Sequence, residues 1–396
     1  MKSNRIPMKW FVLLQTIFFI TACEENQQES FANRYTLEFS KTISYPLDSS
    51  TAHSPLDLGL TSWDSNLFYL TNRDLGKVHF YDAYTQEKIG HWYFTSDPKN
   101  NLTGSIGLFL FAEDSLLVFK RPLVISLFSN SKSDVLNRTF AELPMYDERN
   151  SLRSASVAGV VRPIRVGDSN IIIKLTPVIL FHSELNPNAT LVDFPILSKV
   201  NIFTGEFEDL PISFPTSTKF VHQDLVTIVY LAEAEDYFVV GFVHDPVLYK
   251  LDKLSGDLLG SFTVPSQYTV DFTASKGIAD GLSLGEFREK NYRYFQMLFD
   301  PYRRVFYRQV LHPNHDYEIG TRYYSTMDRP EGFSIMIFDE DFNKLGEVDF
   351  PSKTYGYQAW YVGSEGLYIS KSNYNNPEMR EDFMDFDLFE LKALED

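Results

Sequence analysis

Histidine, arginine and aspartate recur in short loops that follow strand-like segments of the sequence. The clearest case is DPYRRVFYRQVLHP, residues 300–313, an alternating aromatic and arginine run that ends at His312. Arginine offers forked donors to an anion, and imidazole bonds polar ligands or metal ions. If the fold gathers these loops, they predict a polar site for an anionic or sugar-like ligand. The candidate ligand-binding residues are Arg73, Arg121, His222, His244, Asp245, His312 and His315.

The same histidines raise the alternative of a metal centre. His312 and His315 stand three residues apart, and His222, His244 and Asp245 would join them if the loops converge. This spacing matches no zinc signature, so we expect neither a metal nor another cofactor. A metal-assisted propeller hydrolase or lyase, acting on a small or carbohydrate-like substrate, remains the alternative.

Several local catalytic motifs are missing from the sequence. It contains no HExxH helix, phosphate-binding loop or dinucleotide glycine fingerprint. The sequence therefore favours a non-catalytic protein, and no catalytic residue is assigned. Catalysis stays open, because propeller enzymes can collect their residues from separate blades.

The N-terminal segment has the features of an exported lipoprotein. Lys2, Arg5 and Lys9 precede an apolar run at 10–20, which is too short for an ordinary membrane span and suits a secretory signal. The run ends in ITAC, which resembles a bacterial lipobox and contains Cys23, the only cysteine of the chain. The alternative is an ordinary signal peptide with a chance cysteine.

This interpretation divides the chain into a signal peptide (1–22), a polar tether that begins at lipidated Cys23 (23–33) and one domain (34–396). We expect the lipid to anchor the protein to the outer membrane, facing the periplasm or the cell surface. Removing residues 1–22 removes three cations and no anion, so the net charge goes from −17 to −20. Such a charge disfavours nucleic acid. The expected partners are the membrane, through the anchor, and a small-molecule, glycan or protein ligand.

Aromatic residues and turn residues alternate along the domain in a pattern that indicates an all-β protein. The chain has 34 Phe and 23 Tyr, and short β-branched and aromatic runs alternate with Asn, Asp, Gly and Pro. Residues 66–94 read as three strands, the second ending at Asp82, and residues 236–264 repeat that order. Residues 198–214 and 333–350 repeat the last two strands.

Together with two less regular units at 105–136 and 358–391, these repeats predict one β-propeller of six blades, each with four antiparallel strands. We expect the strand at 34–47 to close the ring by pairing with the last blade. A β-sandwich or an irregular barrel is the alternative architecture.

Three motifs resemble a known family. DPYRRVFYR (300–308), FSIMIFDEDFNKLGE (333–347) and EGLYIS (365–370), together with the lipoprotein start, resemble the domain-of-unknown-function 4221 family of Gram-negative lipoproteins. The resemblance implies a fold related to six-bladed propellers over the mature chain. It implies no activity.

In a propeller, the loops between the second and third strands of each blade lie on one face, with the connections between blades. This arrangement places all seven candidate residues around one mouth. The plainer interpretation is that Pro, His, Asn and Asp are simply common in turns. Arg308 is predicted to lie between blades, where it needs a carboxylate partner. We therefore expect a lipid-anchored propeller that binds a ligand or partner at one polar face, with a purely structural envelope component as a further alternative.

Overall fold

The structure is a computed structural model of the whole chain, and its described part is built from strands. No helix among the described residues is long and apolar enough to cross a membrane. The residues that the structure describes are 33–51, 57–72, 77–93, 105–120, 124–129, 138–142, 153–155, 162–177, 195–215, 229–268, 289–314 and 332–395.

The described strands form six antiparallel sheets, which are the predicted blades. The first strand, β1 (Tyr35–Pro46), belongs to the last blade. Blade 1 contains β2 (Leu58–Leu60), β3 (Leu67–Asn72), β4 (Lys77–Asp82) and β5 (Lys88–Tyr93). Blade 2 contains β6 (Ser105–Ala112), β7 (Ser115–Lys120), β8 (Val124–Ser129) and β9 (Arg138–Glu142).

Blade 3 has an inner strand in two pieces. Its members are β10 (Arg153–Ala155), β11 (Ile164–Val166), β12 (Asn170–Pro177), β13 (Leu197–Asn201) and β14 (Phe207–Asp209). Both β10 and β11 pair with β12, at opposite ends of that strand.

Blades 4 to 6 complete the set. Blade 4 contains β15 (Val229–Glu233), β16 (Tyr237–Phe242), β17 (Asp245–Asp252) and β18 (Leu258–Thr263). Blade 5 contains β19 (Arg293–Asp300), β20 (Val305–Leu311), β21 (Phe333–Asp339) and β22 (Lys344–Phe350). Blade 6 contains β23 (Trp360–Val362), β24 (Leu367–Ser370) and β25 (Phe383–Ala393), and β1 pairs with β25 from Tyr35 opposite Ala393 to Pro46 opposite Phe383.

Apolar side chains between the sheets join the blades into a ring. Because successive side chains of a strand point to opposite faces, Ile171 and Ile173 pack with blade 2 while Ile172 packs with blade 4. Similar clusters join blade 1 to blade 2 and blades 4, 5 and 6 to one another. Tyr45 and Phe386 of blade 6 pack with Phe68 of blade 1. The predicted six-bladed, all-β propeller is confirmed.

Many of the tight turns use the same side-chain device. The Oδ1 atom of Asp82 accepts hydrogen bonds from the backbone N–H groups two and three residues later, and Asn201 and Asp252 do the same at equivalent turns. Asp and Asn favour such turns because their side chains substitute for a backbone acceptor. The turn residues that indicated strand ends in the sequence therefore hold the hairpins.

The hairpins define two faces of the propeller. We call upper the face that carries the turns between second and third strands, such as residues 243–244, and the connections between blades. We call lower the face that carries the turns between first and second strands, such as Gly167 and Asp168, and between third and fourth strands, such as Lys253 and Leu254. The seven candidate residues were predicted to lie on the upper face.

Candidate functional site

A large cavity lies on the propeller axis. Its volume is about 620 Å³, and its walls include Leu60, Phe109, Ile164, Leu231 and Met297, from the inner strands of blades 1 to 5. That volume falls in the range of small-molecule sites. Since five blades contribute inner-strand residues to these walls, the ring closure creates this cavity, and no single blade contains it.

The cavity opens towards the lower face. The turn residues Gly167, Asp168 and Lys253, all from lower-face hairpins, line its rim. The Asp168 side chain is 99% exposed, so solvent reaches the rim. The cavity thus opens on the face opposite the predicted mouth.

Arg162, just before β11, reaches across the axis from blade 3 to blade 1. Its Nε lies 3.2 Å from Oδ1 of Asp57, and its Nη2 donates to the carbonyl oxygen of Leu58. No described residue accepts a hydrogen bond from Nη1. Two of the three guanidinium nitrogens therefore fix the side chain. The third, Nη1, lies against Gly59, and the Arg162 side chain, which is 37% exposed, lines the cavity wall.

Asp57 is the buried anchor of that arginine. Its side chain is 4% exposed, and Oδ1 also accepts a hydrogen bond of 3.1 Å from the hydroxyl of Tyr69. Burial raises the pKa of the Asp57 carboxyl, whereas the Arg162 guanidinium and the Tyr69 hydroxyl oppose the rise. Burial and the adjacent carboxylate raise the pKa of Tyr69. The three groups form one ionic and hydrogen-bonded cluster at mid-depth on the axis.

Gly59 makes room for the guanidinium. Its φ is +149°, which L side chains rarely adopt, and a Cβ there would lie 3.3 Å from Nη1 of Arg162. The three nearest atoms to that position all belong to the Arg162 guanidinium. Glycine at position 59 thus lets the arginine lie flat on the backbone of blade 1.

A second, smaller cavity of about 40 Å³ adjoins the first along the axis, and Arg162, Leu231, Met297 and Leu298 line both. Gln296 also lines it and is 7% exposed. The indole N–H of Trp360 donates to Oε1 of Gln296 over 2.6 Å. Because the indole can only donate, the Gln296 amide oxygen must face Trp360. The Nε2 group of Gln296, which has no acceptor within the described part of the chain, points away from the indole.

Ion pairs surround the rim of the large cavity. Lys253 Nζ lies 2.5 Å from Oε1 of Glu233, and both side chains line the opening. Burial raises the pKa of Glu233, and the ammonium of Lys253 opposes the rise. Arg165 donates to the carbonyl oxygen of Phe111 and to Asp168, both at 2.9 Å. The rim of the cavity thus presents ion-paired cations and anions beside apolar walls.

His312 follows β20 on the upper face, as the sequence predicted, but it lies in a separate pocket. The pocket has a volume of about 340 Å³. The His312 ring lies 4.6 Å from the ring of Tyr268 and 5.3 Å from that of Tyr292, and Asp349 Oδ1 is 3.9 Å from Nε2. These partners come from the connection between blades 4 and 5 and from β22, the outer strand of blade 5. The pocket is therefore at the periphery, away from the inner strands that surround the axis.

The other described candidates are His244 and Asp245, at the upper-face turn of blade 4. Oδ1 of Asp245 accepts the backbone N–H of Val247 over 2.8 Å, which stabilises its own turn. Neither residue is among the described residues that line the His312 pocket. The structure places all three candidates on the predicted face without grouping them in one cavity, and their role in binding stays a prediction.

The remaining predicted residues lie outside the described part of the chain. They are Cys23, Arg73, Arg121, His222 and His315. Within the described ranges, no three His, Cys, Asp or Glu side chains are grouped closely enough to hold a metal ion. That finding leaves the proposed histidine cluster untested, because two of its histidines fall outside those ranges.

Arg308 lies between blades 4 and 5, as expected, but its hydrogen-bond partners differ from the carboxylate that we predicted. Nη2 donates to the backbone carbonyl oxygens of Phe242, at 2.9 Å, and Asp245, at 3.0 Å. The guanidinium carbon lies 3.7 Å from the ring centre of Tyr294. Backbone acceptors and an aromatic face thus hold the guanidinium. Burial lowers the pKa of Arg308, and the nearby Asp245 carboxylate favours its charge and opposes that lowering without a hydrogen bond to it.

Sequence reasoning missed the axial residues. Arg162 stands in GVVRPIRVG, residues 159–167, which matches no catalytic motif. Asp57 and Gln296 have ordinary local contexts. The available signal was the position of Arg162 at the start of an inner strand, since first strands of all blades face the axis.

Comparison with known families gives one match over most of the chain. The family described as "Domain of unknown function (DUF4221)" matches residues 34–349. A search of the curated proteins gives no match.

Among solved structures, the chain is similar to a crystal structure of a member of the DUF4221 family from Bacteroides vulgatus ATCC 8482. The TM-score is 0.73 at 22% identity, covering 91% of this chain and 99% of that chain. This likeness supports the fold. A luciferin-regenerating enzyme gives a TM-score of 0.44 at 8% identity, covering 89% of this chain and 96% of that chain. The β-propeller domain of Cps50 (Swd1) from Myceliophteria thermophila gives a TM-score of 0.41 at 10% identity, covering 90% of this chain and 100% of that chain.

Proposed function

Since the chain belongs to the DUF4221 family, whose function is unknown, we propose a role from the site itself: a non-catalytic binding protein of the cell envelope. The ligand is a small molecule held in the axial cavity, which opens on the lower face. Catalysis is no part of this proposal, because the described lining offers ion-pair and hydrogen-bond donors beside apolar walls.

The observation that carries the proposal is that Arg162 is held in place by protein partners while it lines the axial cavity. Its guanidinium is fixed by Asp57 and Leu58, Nη1 has no acceptor among the described residues, and the side chain lines a cavity of about 620 Å³. A preset donor in a cavity loses little conformational freedom when a ligand arrives, which favours binding. The apolar inner-strand side chains supply the burial that small ligands need.

The test is a ligand screen against the protein produced from the full sequence and purified. Organic acids, monosaccharides, amino acids and dipeptides are scored by thermal shift and then by calorimetry, with Leu231→Trp as the variant. Leu231 lines both axial cavities, so an indole there fills the space. A ligand whose binding disappears in Leu231→Trp supports the proposal, and one that binds both proteins equally places the site elsewhere.

We also propose that Cys23 carries a lipid that holds the protein at the outer membrane. The support is the basic start, the apolar run and the ITAC motif that ends at Cys23. Labelled palmitate fed to cells that express the protein should enter the wild type and not Cys23→Ser. If both proteins are labelled, the lipid is attached to another residue. If neither is labelled, the protein carries no such lipid and the proposal is wrong.

The upper-face residues remain a second prediction for the ligand site. Arg73→Ala combined with His312→Ala should leave the affinity of an axial ligand unchanged. If that double variant abolishes binding while Leu231→Trp does not, the upper face is the site and the axial proposal is wrong.

A further inference from the structure

Two hydrogen-bond donors without described acceptors line the smaller axial cavity. One is Nη1 of Arg162, and the other is Nε2 of Gln296. Both are oriented by fixed partners: Asp57 and Leu58 hold the guanidinium, and Trp360 holds the amide. Neither nitrogen has a described acceptor, so both can donate to a ligand, and a hydrogen bond from a charged donor to a charged acceptor is the stronger kind.

The chemistry of these donors selects the ligand's head group. A guanidinium and an amide N–H group both donate, so the matching group must accept at more than one atom and gains from negative charge. A carboxylate meets both requirements. The smaller cavity, at about 40 Å³, has room for a compact head group and not for a ring.

The walls select the rest of the ligand. Leu231, Met297 and Leu298 line both cavities, and Leu60 and Phe109 extend the apolar surface of the larger one. An apolar body attached to the head group would bury its surface there, at roughly 25 cal/mol per Å² removed from water.

From this arrangement we infer that the axial site takes small organic carboxylates with an apolar body, whose carboxylate lies against Arg162 and Gln296. The inference rests on the proposed binding function and adds the ligand class. The chain as a whole carries a net charge of −17, and the cations that line the cavity are paired with carboxylates, so the donors of Arg162 and Gln296, and not the overall field, would bind the anion.

The test compares each acid with its own amide. Hexanoate and hexanamide, and benzoate and benzamide, are titrated into the purified full-length protein by calorimetry. The amide keeps the shape of the acid and removes its charge. We expect the acids to bind roughly tenfold or more tightly than the amides, because a charged hydrogen bond is lost with each amide.

Two variants locate the head group. Arg162→Gln with Asp57→Asn removes both charges of the pair together, so no buried charge is left alone. Gln296→Glu keeps an oxygen that accepts the hydrogen bond from the Trp360 indole and replaces the Nε2 donor by a second carboxylate oxygen. Both should remove the preference for the acid. Lys199→Gln with Glu208→Gln is the matched control, since it also removes both charges of an ion pair on blade 3, and neither residue lines the cavity.

Each outcome decides the question. If the wild type binds acid and amide equally and Leu231→Trp binds neither, the axial site is supported and the preference for a carboxylate is wrong. If either variant still binds the acid more tightly than the amide to the same extent as the wild type, and its thermal midpoint is unchanged, the carboxylate does not lie against Arg162 and Gln296. If no acid or amide binds the wild type, the inference is wrong for this ligand class, and the wider screen then judges the proposed function separately.

Discussion

Arg308 is buried and Arg162 is half-buried, in different regions of the propeller, and each lies against a glycine. Arg308 sits between blades 4 and 5, with its Nη2 3.3 Å from the position of a Cβ on Gly241. Arg162 sits on the axis, with its Nη1 3.3 Å from the position of a Cβ on Gly59. In both places the missing side chain lets a planar guanidinium approach the backbone.

The surroundings of the two guanidinium groups differ. Arg308 is 0% exposed, and protein encloses all of its nitrogens, so burial lowers its pKa to about 10. Arg162 is partly exposed, carries an ion pair and lines two cavities. An enclosed arginine can only join the blades to each other. An arginine with one nitrogen at a cavity can also bind something that enters it.

The largest effect is expected from removing the enclosed arginine. Arg308→Ala leaves a cavity between blades 4 and 5 and leaves the carbonyl oxygens of Phe242 and Asp245 without their donor. The free energy of unfolding should fall by about 3 kcal/mol or more. Urea denaturation measures the loss.

Arg304→Ala is the control for that variant. Arg304 lies in the same hairpin, its side chain is 62% exposed, and it pairs with Glu340. Such a surface pair contributes less than about 1 kcal/mol. If the two variants lose equal stability, enclosure is not what makes Arg308 important.

A buried lysine extends the comparison of enclosed and cavity-lining cations, because it has no carboxylate partner among the described residues. Lys174 on β12 is 3% exposed, and burial lowers its pKa to about 7. Above this value the folded protein binds fewer protons than the unfolded chain, so its stability rises with pH from about 7 to the usual lysine pKa. Below pH 7 the cost of burying the charge is fully present.

Lys174→Met removes that dependence. The variant should be more stable than the parent at pH 6.5, by roughly 2 kcal/mol, and the difference should shrink by pH 9.5. Thermal and urea unfolding at both pH values measure it. Lys199→Met, at a partly exposed position of blade 3, should show no such trend, and a constant difference for Lys174→Met would refute the low pKa.

A smaller effect than that of Arg308→Ala or Lys174→Met is expected at the periphery of the upper face. His312→Ala removes ring contacts with Tyr268 and Tyr292 and should cost about 1 kcal/mol of stability. Because the His312 pocket is separate from the axial cavity, hexanoate affinity should stay unchanged. A severalfold change in that affinity would show that the two faces are coupled.

The fold could be predicted because its signals are local. Alternating aromatic runs and Asp or Asn turns define hairpins within about thirty residues, and the unit at 66–94 contains β3, β4 and β5 with the expected end at Asp82. The upper-face loops followed from the order of strands in a blade. These rules need no knowledge of distant contacts.

The axial site could not be predicted in the same way. Arg162 and Leu58 are 104 positions apart, and only the closed ring brings them into contact. The partners of Arg308 were missed for a related reason: a backbone carbonyl oxygen leaves no trace in the residue types. Histidines in loops attracted attention, whereas the donors at the axis stand in unremarkable local sequence.

The most direct test of the account measures both properties in both arginine variants. The free energy of unfolding and the hexanoate affinity are determined for Arg308→Ala and for Arg162→Gln with Asp57→Asn, at a temperature where both remain folded. We predict that the first loses stability and keeps its affinity, and that the second loses affinity and keeps most of its stability. If the axial variant binds hexanoate as tightly as the wild type, Arg162 does not receive the ligand and the account is contradicted.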